Sequence, residues 1–501
     1  MAVIAEGLTP DQAQVDSAVA SLLPPHVVRR YRTVPLRRRG DRLLLGMADP
    51  SDLTAVDDLR AFLGESFDRV LVPAARLAEM IHEITRADDE VLTVAQGLVD
   101  ETSDSNDLSQ VAALNEDAPI VKFVNLLITQ AAHERASDIH IEPTETDLRI
   151  RIRVDGVLHE RMRQPRSIHA GVVSRLKVMS DIDIAERRKP QDGRMSLMVD
   201  GRSIDLRVST LPTVYGEKVV MRILDQSAGV QSLAMLGFLP EQLTMYESAY
   251  RMPYGAILVT GPTGSGKSTT LYATLSEIND PTRNIVTVED PVEYRLAGVN
   301  QVQTNNRAGL TFANALRAIL RQDPDVVLVG EIRDRETGVI AIEAALTGHL
   351  VLSTLHTNDA PSTPLRLLEM GIEPFLIASS LDCVVAQRLA RRLCDKCKAP
   401  YSPRMDEFIA AQWDMRDRTP DVAYQAIGCT ACGGTGYRGR LAIHEVMLIS
   451  EEIERQIVSH GSTDELRHLA LEQGMIPLRR DGLRKVTAGL TTFEEVSRVI
   501  A

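Results

Sequence analysis

The octapeptide Gly261-Pro262-Thr263-Gly264-Ser265-Gly266-Lys267-Ser268 constrains this 501-residue chain more than any other segment. It satisfies every fixed position of G-x-x-x-x-G-K-[ST], a backbone turn that wraps a phosphate. Glycines let the chain turn inward so that several N–H groups converge on one anion. Lys267 offers a point charge to the outer phosphates, and Ser268, followed by Thr269, offers a hydroxyl to magnesium. The flanks agree. The apolar run 255–260 reads as a buried strand, and 268–278 reads as a helix whose N-terminal dipole faces the anion. Strand and helix patterns alternate from about residue 228 to the end, which predicts an α/β domain with a parallel sheet covered on both faces.

A chain of this length holds two to four domains. Residues 1–87 read as a small α/β domain. Helical spacing spans 52–63, a short strand follows at 69–73, and a second helix spans 75–85. Arg29, Arg30, Arg32, Arg37, Arg38 and Arg39 cluster there, as a solvated face or as a docking surface for a partner or acidic lipid. The acidic stretch 88–117 cannot bury a core and reads as a linker. Residues 118–227 form a second α/β domain. It has an amphipathic helix at 119–135, alternating strands at 137–142, 147–154, 203–208 and 218–223, a hairpin turn at Asp155-Gly156 and a helix at 169–179. Residues 228–501 form the nucleotide-binding domain, and 450–501 are mostly helical. The net charge of −13 and the single tryptophan disfavour nucleic acid as a partner. The N-terminus lacks a basic segment followed by an apolar core, and no apolar run reaches membrane-spanning length. The sequence therefore predicts a cytoplasmic protein that meets a membrane only through a partner.

Downstream of the loop, the predicted strand at 284–289 ends in a carboxylate group: Glu289, Asp290 and Glu293. A second buried strand from Asp325 ends at Glu331. A carboxylate at the C-terminal end of a parallel strand can polarise the attacking water or hold magnesium through water. Gly330 stands where Asp is usual before such a glutamate. A third apolar strand is bracketed by His349 and His356, and His356 is a candidate donor to a γ-phosphate oxygen. Phosphoryl transfer depends on charge around the γ-phosphate, so arginines are the next candidates. Arg207 and Arg222 lie on strands of the second domain, and Arg317, Arg321 and Arg333 flank the Glu331 strand.

Cys394-x2-Cys397 and Cys429-x2-Cys432 are spaced as two metal-ligand pairs. Four thiolates favour tetrahedral, structural zinc; an iron–sulfur cluster or unligated thiols are the competing readings. Cys383 reads as a buried core thiol.

Together these residues resemble the secretion ATPases of type II secretion and type IV pilus systems. The resemblance rests on the loop at 261–268, the acidic segment 285–293, Val329-Gly-Glu-Ile-Arg-Asp334, the histidines at 349 and 356, and Ala136-Ser-Asp-Ile-His-Ile-Glu142. It covers about 118 to 501, and Gly330 is then a family trait. It implies a P-loop NTPase with a RecA-like motor domain, working as a homo-hexamer on ATP and Mg2+. Arg207 and Arg222 match arginines brought to the nucleotide by the second domain, and Arg317, Arg321 and Arg333 match those of the motor domain. Glu331 matches the catalytic glutamate, and the four cysteines match a Zn2+ lobe at 391–440. Length and layout fit the type II secretion branch best, with pilus assembly or DNA uptake and a nucleotide-gated scaffold of negligible turnover as alternatives. In that branch the first domain docks on the cytoplasmic part of a bitopic inner-membrane protein, and the ring works beside an inner-membrane platform protein.

Overall fold

The computed structural model describes residues 4–5, 15–16, 19, 22–23, 25–39, 42–63, 66–81, 119–224, 231–414 and 419–500. The expected linker, 88–117, lies outside these residues. The chain divides into two compact units: 1–227 with 393–399 and 425–438, and 228–392 with 400–424 and 439–501.

The first unit begins with a four-stranded sheet: β1 (Ile4–Ala5), β2 (Thr33–Arg39), β3 (Arg42–Met47) and β4 (Phe67–Leu71), in the order β1-β4-β3-β2. β3 and β4 are parallel, so the chain must cross over between them, and the helix Leu53–Leu63 supplies the crossing. Leu43, Leu45, Leu59, Val70 and Leu77 close the core beneath. Arg30, Arg32, Arg37 and Arg38 of the basic cluster are exposed.

A second sheet follows in the same unit: β5 (Ala136–Pro143), β6 (Asp147–Val154), β7 (Val157–Pro165), β8 (Gln191–Val199), β9 (Arg202–Thr213) and β10 (Gly216–Leu224). Its order is β7-β6-β5-β10-β9-β8, with every neighbouring pair antiparallel. Asp155-Gly156 and Asp200-Gly201 both have positive φ at each residue, the type I′ geometry that matches strand twist in two-residue hairpins. Ile139, Ile141, Ile150, Ile152, Leu206, Val208, Val219 and Met221 face a core shared with the helices Pro119–His133 and His169–Met179. The alternate residues, rich in arginine, face away.

The second unit is built on a seven-stranded sheet. Its strands are β11 (Gly255–Thr260), β12 (Ile285–Glu289), β13 (Asn300–Gln303), β14 (Val326–Val329), β15 (Leu350–Leu355) and β16 (Leu381–Leu393), with β19 (Tyr437–Leu448) on the far side of β16. β17 (Ala399–Tyr401) and β18 (Ala423–Gln425) form a separate pair. The order is β13-β12-β14-β15-β11-β16-β19, with β13 through β16 parallel to their neighbours. Successive residues of one strand feed two cores. Ala256 and Leu258 join one cluster, and Ile257 and Val259 join the other. That division is why the strands read as continuous apolar runs. Cys383 lies in the second cluster, fully buried, and burial pushes its thiol far above the ordinary range. Four helices, Glu451–Val458, Thr463–Glu472, Leu478–Thr487 and Phe493–Val499, complete the chain. Ser450, Ser462 and Thr492 cap three of them. Among the described residues, no helix is long and apolar enough to cross a membrane.

Candidate active site and cysteine cluster

β11 is buried throughout and ends at Thr260, and from Gly261 the chain turns into the helix Lys267–Ile278. Gly261, Gly264 and Gly266 adopt φ of +144°, +79° and +90°, a region that side chains disfavour. The turn therefore presents backbone N–H groups at a helix N-terminus, the geometry that takes a phosphate. Lys267 folds back over it. Its Nζ donates to Gly261 O at 2.9 Å and to Pro262 O at 3.1 Å. Burial lowers the Lys267 pKa, the negative charge of Glu331 opposes that shift, and Arg388 reinforces it. Pro262, Thr263, Gly264 and Ser268 are exposed, Thr269 is half-buried, and Ser265 is buried.

Glu331 follows β14 by two residues, at the same sheet edge as the turn. Gly330 is drawn against β12: its N–H donates to Val288 O at 2.8 Å. A Cβ there would stand 3.3 Å from Val288 O and from the Glu289 Cα. An aspartate side chain at this position would have to begin inside that contact, so glycine belongs to the packing. The Glu331 carboxylate meets Arg333 Nη2 at 2.5 Å and His356 Nε2 at 3.6 Å. The hydrogen bond that Arg333 donates to Glu331 raises the Arg333 pKa.

The acidic segment divides by depth. Glu289 is interior: its carboxylate accepts from Tyr272 Oη, from Thr287 Oγ1 at 2.6 Å and from Gln301 Nε2 at 3.2 Å. Burial, together with Glu289, pushes the Tyr272 phenol far above its ordinary range. Asp290 is exposed and contributes to the field on Arg333. Glu293 is half-buried, and its N–H donates to Tyr272 Oη at 3.2 Å.

The two histidines part company. His356 lies just beyond the C-terminal end of β15, beside Glu331. His349 precedes β15 at the opposite end, where its Nδ1 bonds Ala344 O at 2.8 Å and its own carbonyl accepts from Gly255 N at 3.1 Å. The structure thus brings His356, and not His349, to the turn. Arg317, in the helix Phe312–Ile319, pairs with Glu336 at 2.7 Å, and Arg321 is exposed just beyond that helix.

Arg207 and Arg222 belong to the other unit, side by side on β9 and β10. Arg194 on β8 is the next residue in that row, and Asp138 and Arg153 continue it across β5 and β6. Asp138 bonds Arg222 at 3.0 Å and Arg153 at 3.6 Å. Sequence reasoning missed Arg194, because it sits in a strand the alternation did not reveal. It also missed Gln387 and Arg388 on β16. The one available signal was a polar pair inside the apolar run 383–390.

In the first unit, the Sγ atoms of Cys394, Cys397, Cys429 and Cys432 all lie within 4.8 Å of one another. The pairs 394–429, 397–432 and 429–432 are each 3.8 Å apart. Sulfurs about 2.3 Å from a tetrahedral centre stand about 3.8 Å from each other, so the set fits one metal ion without rearrangement. Backbone N–H groups of Cys429 and Gly436 point at the Cys432 sulfur at 3.1 and 3.2 Å, which favours thiolate there. The left-handed glycines 433, 434 and 436 make that convergence possible.

Residues 113–498 match the family described as Type II/IV secretion system protein, and residues 5–91 match the MshEN domain. The chain is 46% identical over 489 residues to the type IV pilus assembly ATPase PilB of Myxococcus xanthus (strain DK1622), covering 96% of this chain and 86% of that protein. It is 53% identical over 403 residues to the type II secretion system protein E of Pectobacterium carotovorum subsp. carotovorum, covering 80% of this chain and 79% of that one. The crystal structure of the pilus retraction motor PilT with bound ADP aligns at a TM-score of 0.50 and 26% identity, over 74% of this chain and 94% of that one.

Proposed function

The chain belongs to the Type II/IV secretion system protein family, and from that premise we propose that it is the ATP-hydrolysing motor of a type II secretion system. The observation that carries the reading is the facing pair at one sheet edge. Lys267 sits on a turn shaped for phosphate at the end of β11, and Glu331 follows β14 at the same end of the parallel sheet. Such a pair suits a nucleotide whose γ-phosphate lies between them: the lysine takes phosphate charge, and the carboxylate orients the attacking water. Ser268 is the hydroxyl for Mg2+, and Asp290 and Glu293 are candidates to orient its waters. His356 and Arg333 would respond to the γ-phosphate. Arg317, Arg321, Arg207 and Arg222 are proposed as clamps that act in an assembled ring of six.

The remaining parts take supporting roles. Residues 1–87 dock on the cytoplasmic part of a bitopic inner-membrane protein, with the exposed arginines as the contact for that partner or for acidic phospholipid. The platform protein of the same membrane receives the motion. The motor is thereby held at the inner membrane from the cytoplasmic side. Zn2+ is the metal that four thiolates favour, and it would be structural because no ligand position stays open.

A second reading, pilus assembly, has one observation in its favour. The PilB relative aligns over 96% of this chain, whereas the secretion relative is more identical but aligns over 80%. Deleting the gene decides between them. Loss of folded-protein export with pili intact supports secretion; loss of pili with export intact overturns it.

A further inference from the structure

Gln387 and Arg388 follow each other on β16, which runs alongside β11 directly behind the phosphate turn. Successive strand residues point to opposite faces, so this pair reaches both sides of the turn.

Gln387 is 2% exposed. Its backbone oxygen lies 2.4 Å from where a Cβ on Gly261 would stand, and its Nε2 lies 2.7 Å from where one on Gly266 would stand. No side chain fits at either position, so the first and last glycines of the turn rest on the same residue. Gln387 Oε1 accepts from Thr270 Oγ1 at 2.7 Å. Thr270 is itself fully buried in the first turn of the loop helix, and its N–H donates to Gly266 O at 3.1 Å. One residue therefore touches the entry of the turn with its main-chain oxygen, and the exit of the turn and the start of its helix with its side-chain amide. An apolar side chain would fill the same space and keep the main-chain contact with Gly261, but would lose the bond to Thr270.

Arg388 works from the other face. Its Nη1 donates to Gln387 O at 3.1 Å and lies 3.2 Å from the Cβ position of Gly261. Its Nη2 donates to Asn358 O at 2.7 Å. Asn358 is two residues beyond His356, so the guanidinium ties the Gln387 carbonyl, against which Gly261 packs, to the segment that carries this histidine.

We propose that Gln387 and Arg388 are positioning residues. Gln387 holds the turn in its phosphate-binding shape, and Arg388 holds the His356 segment in register with it. Neither is assigned a contact with nucleotide. The inference rests on the ATPase reading, and wild-type protein measured in parallel separates the two. If wild type neither binds nor hydrolyses ATP, the ATPase reading fails, and this inference with it.

The test measures ATP affinity, turnover and Tm on the full chain. Gln387→Met and Thr270→Val should each weaken ATP binding about tenfold, the scale of one lost hydrogen bond. The double variant should be no weaker than the worse single one, because both remove the same bond. Arg388→Met should lower kcat about tenfold and leave ATP affinity within about threefold, and Arg388→Lys should restore part of the loss. ATP affinity within about twofold of wild type in folded Gln387→Met overturns the role of Gln387, even if Tm falls. Should that variant not fold, the same result in Thr270→Val overturns it. An unchanged kcat in Arg388→Met overturns the role of Arg388.

Discussion

Glu331 Oε1 lies 2.5 Å from Arg333 Nη2, and the same carboxylate holds His356 Nε2 at 3.6 Å with its other oxygen. One oxygen is taken by the arginine, and the histidine stands just outside hydrogen-bond distance of the other. Arg333 is 65% exposed and His356 51% exposed, and both can swing toward a phosphate. On the proposed ATPase reading, a γ-phosphate that draws Arg333 away frees Glu331, because phosphate is the stronger partner for the arginine.

Glu331→Gln should therefore keep ATP binding and lower phosphate release about 100-fold or more, the range for loss of a positioned base. Phosphate release from the assembled ring, beside nucleotide titration, checks this. Unchanged release would remove Glu331 from the chemistry.

Metal analysis of purified protein should find about one zinc per chain, since four thiolates fill one tetrahedral site. Cys397→Ser should lose most of that zinc and lower Tm, with ATP affinity within about threefold of wild type. A full zinc complement in the variant would mean that the ion sits elsewhere.

Much of this was legible in the sequence, where local chemistry is self-contained. The turn at 261–268, the strand ending at Thr260 and the helix His169–Met179 lie where the spacing puts them. β8 was not legible, because Gln191-Asp-Gly-Arg-Met has too few apolar residues to show an alternation; its partner β9 supplies the register. The depth of Glu289 was hidden for a different reason. Its partner Tyr272 is 17 residues away on another element, and only the fold brings the two together. Gln387 was missed likewise, since its importance lies in two glycines more than 100 residues upstream.

Asp382, at the start of β16, tests the electrostatics of the core. Its Oδ2 is buried without a hydrogen-bond partner among the described residues, pressed toward Gly255, where a Cβ would stand only 1.5 Å away. Burial, with Glu454 adding to it, pushes the acid up to about 6. A raised carboxylate pKa favours the folded state below the unfolded value, near 4, and that support is lost as pH rises through about 6. Asp382→Asn should therefore raise stability by about 1 kcal/mol at pH 7.5, the low end for an unpaired polar group, and by less at pH 5. Thermal unfolding at the two pH values measures the difference.

Glu495 has the opposite sign. Burial opposes its charge, but hydrogen bonds from Arg498 and Arg391 outweigh that and hold it at about 2. It binds Arg391 at 2.7 Å and Arg498 at 2.7 Å, joining the last helix to β16. This contribution is present above about pH 4.5 and disappears as pH falls through about 2. Glu495→Gln should cost about 2 kcal/mol at pH 7, below the usual figure for a broken buried pair because Arg498 is partly exposed. In acid titrations the variant should show a smaller loss of stability between pH 4.5 and 2.

Lys267 is bonded to the carbonyls of Gly261 and Pro262. On the proposed reading a phosphate taken by Lys267 exchanges with these carbonyls, so part of its binding energy goes into displacing an internal competitor. The same arrangement helps at the other end of the cycle. Once the terminal phosphate is cleaved, the lysine has a place to return to, and its return works against retention of product. A motor that must let go as readily as it grips gains from a loop that is its own rival ligand.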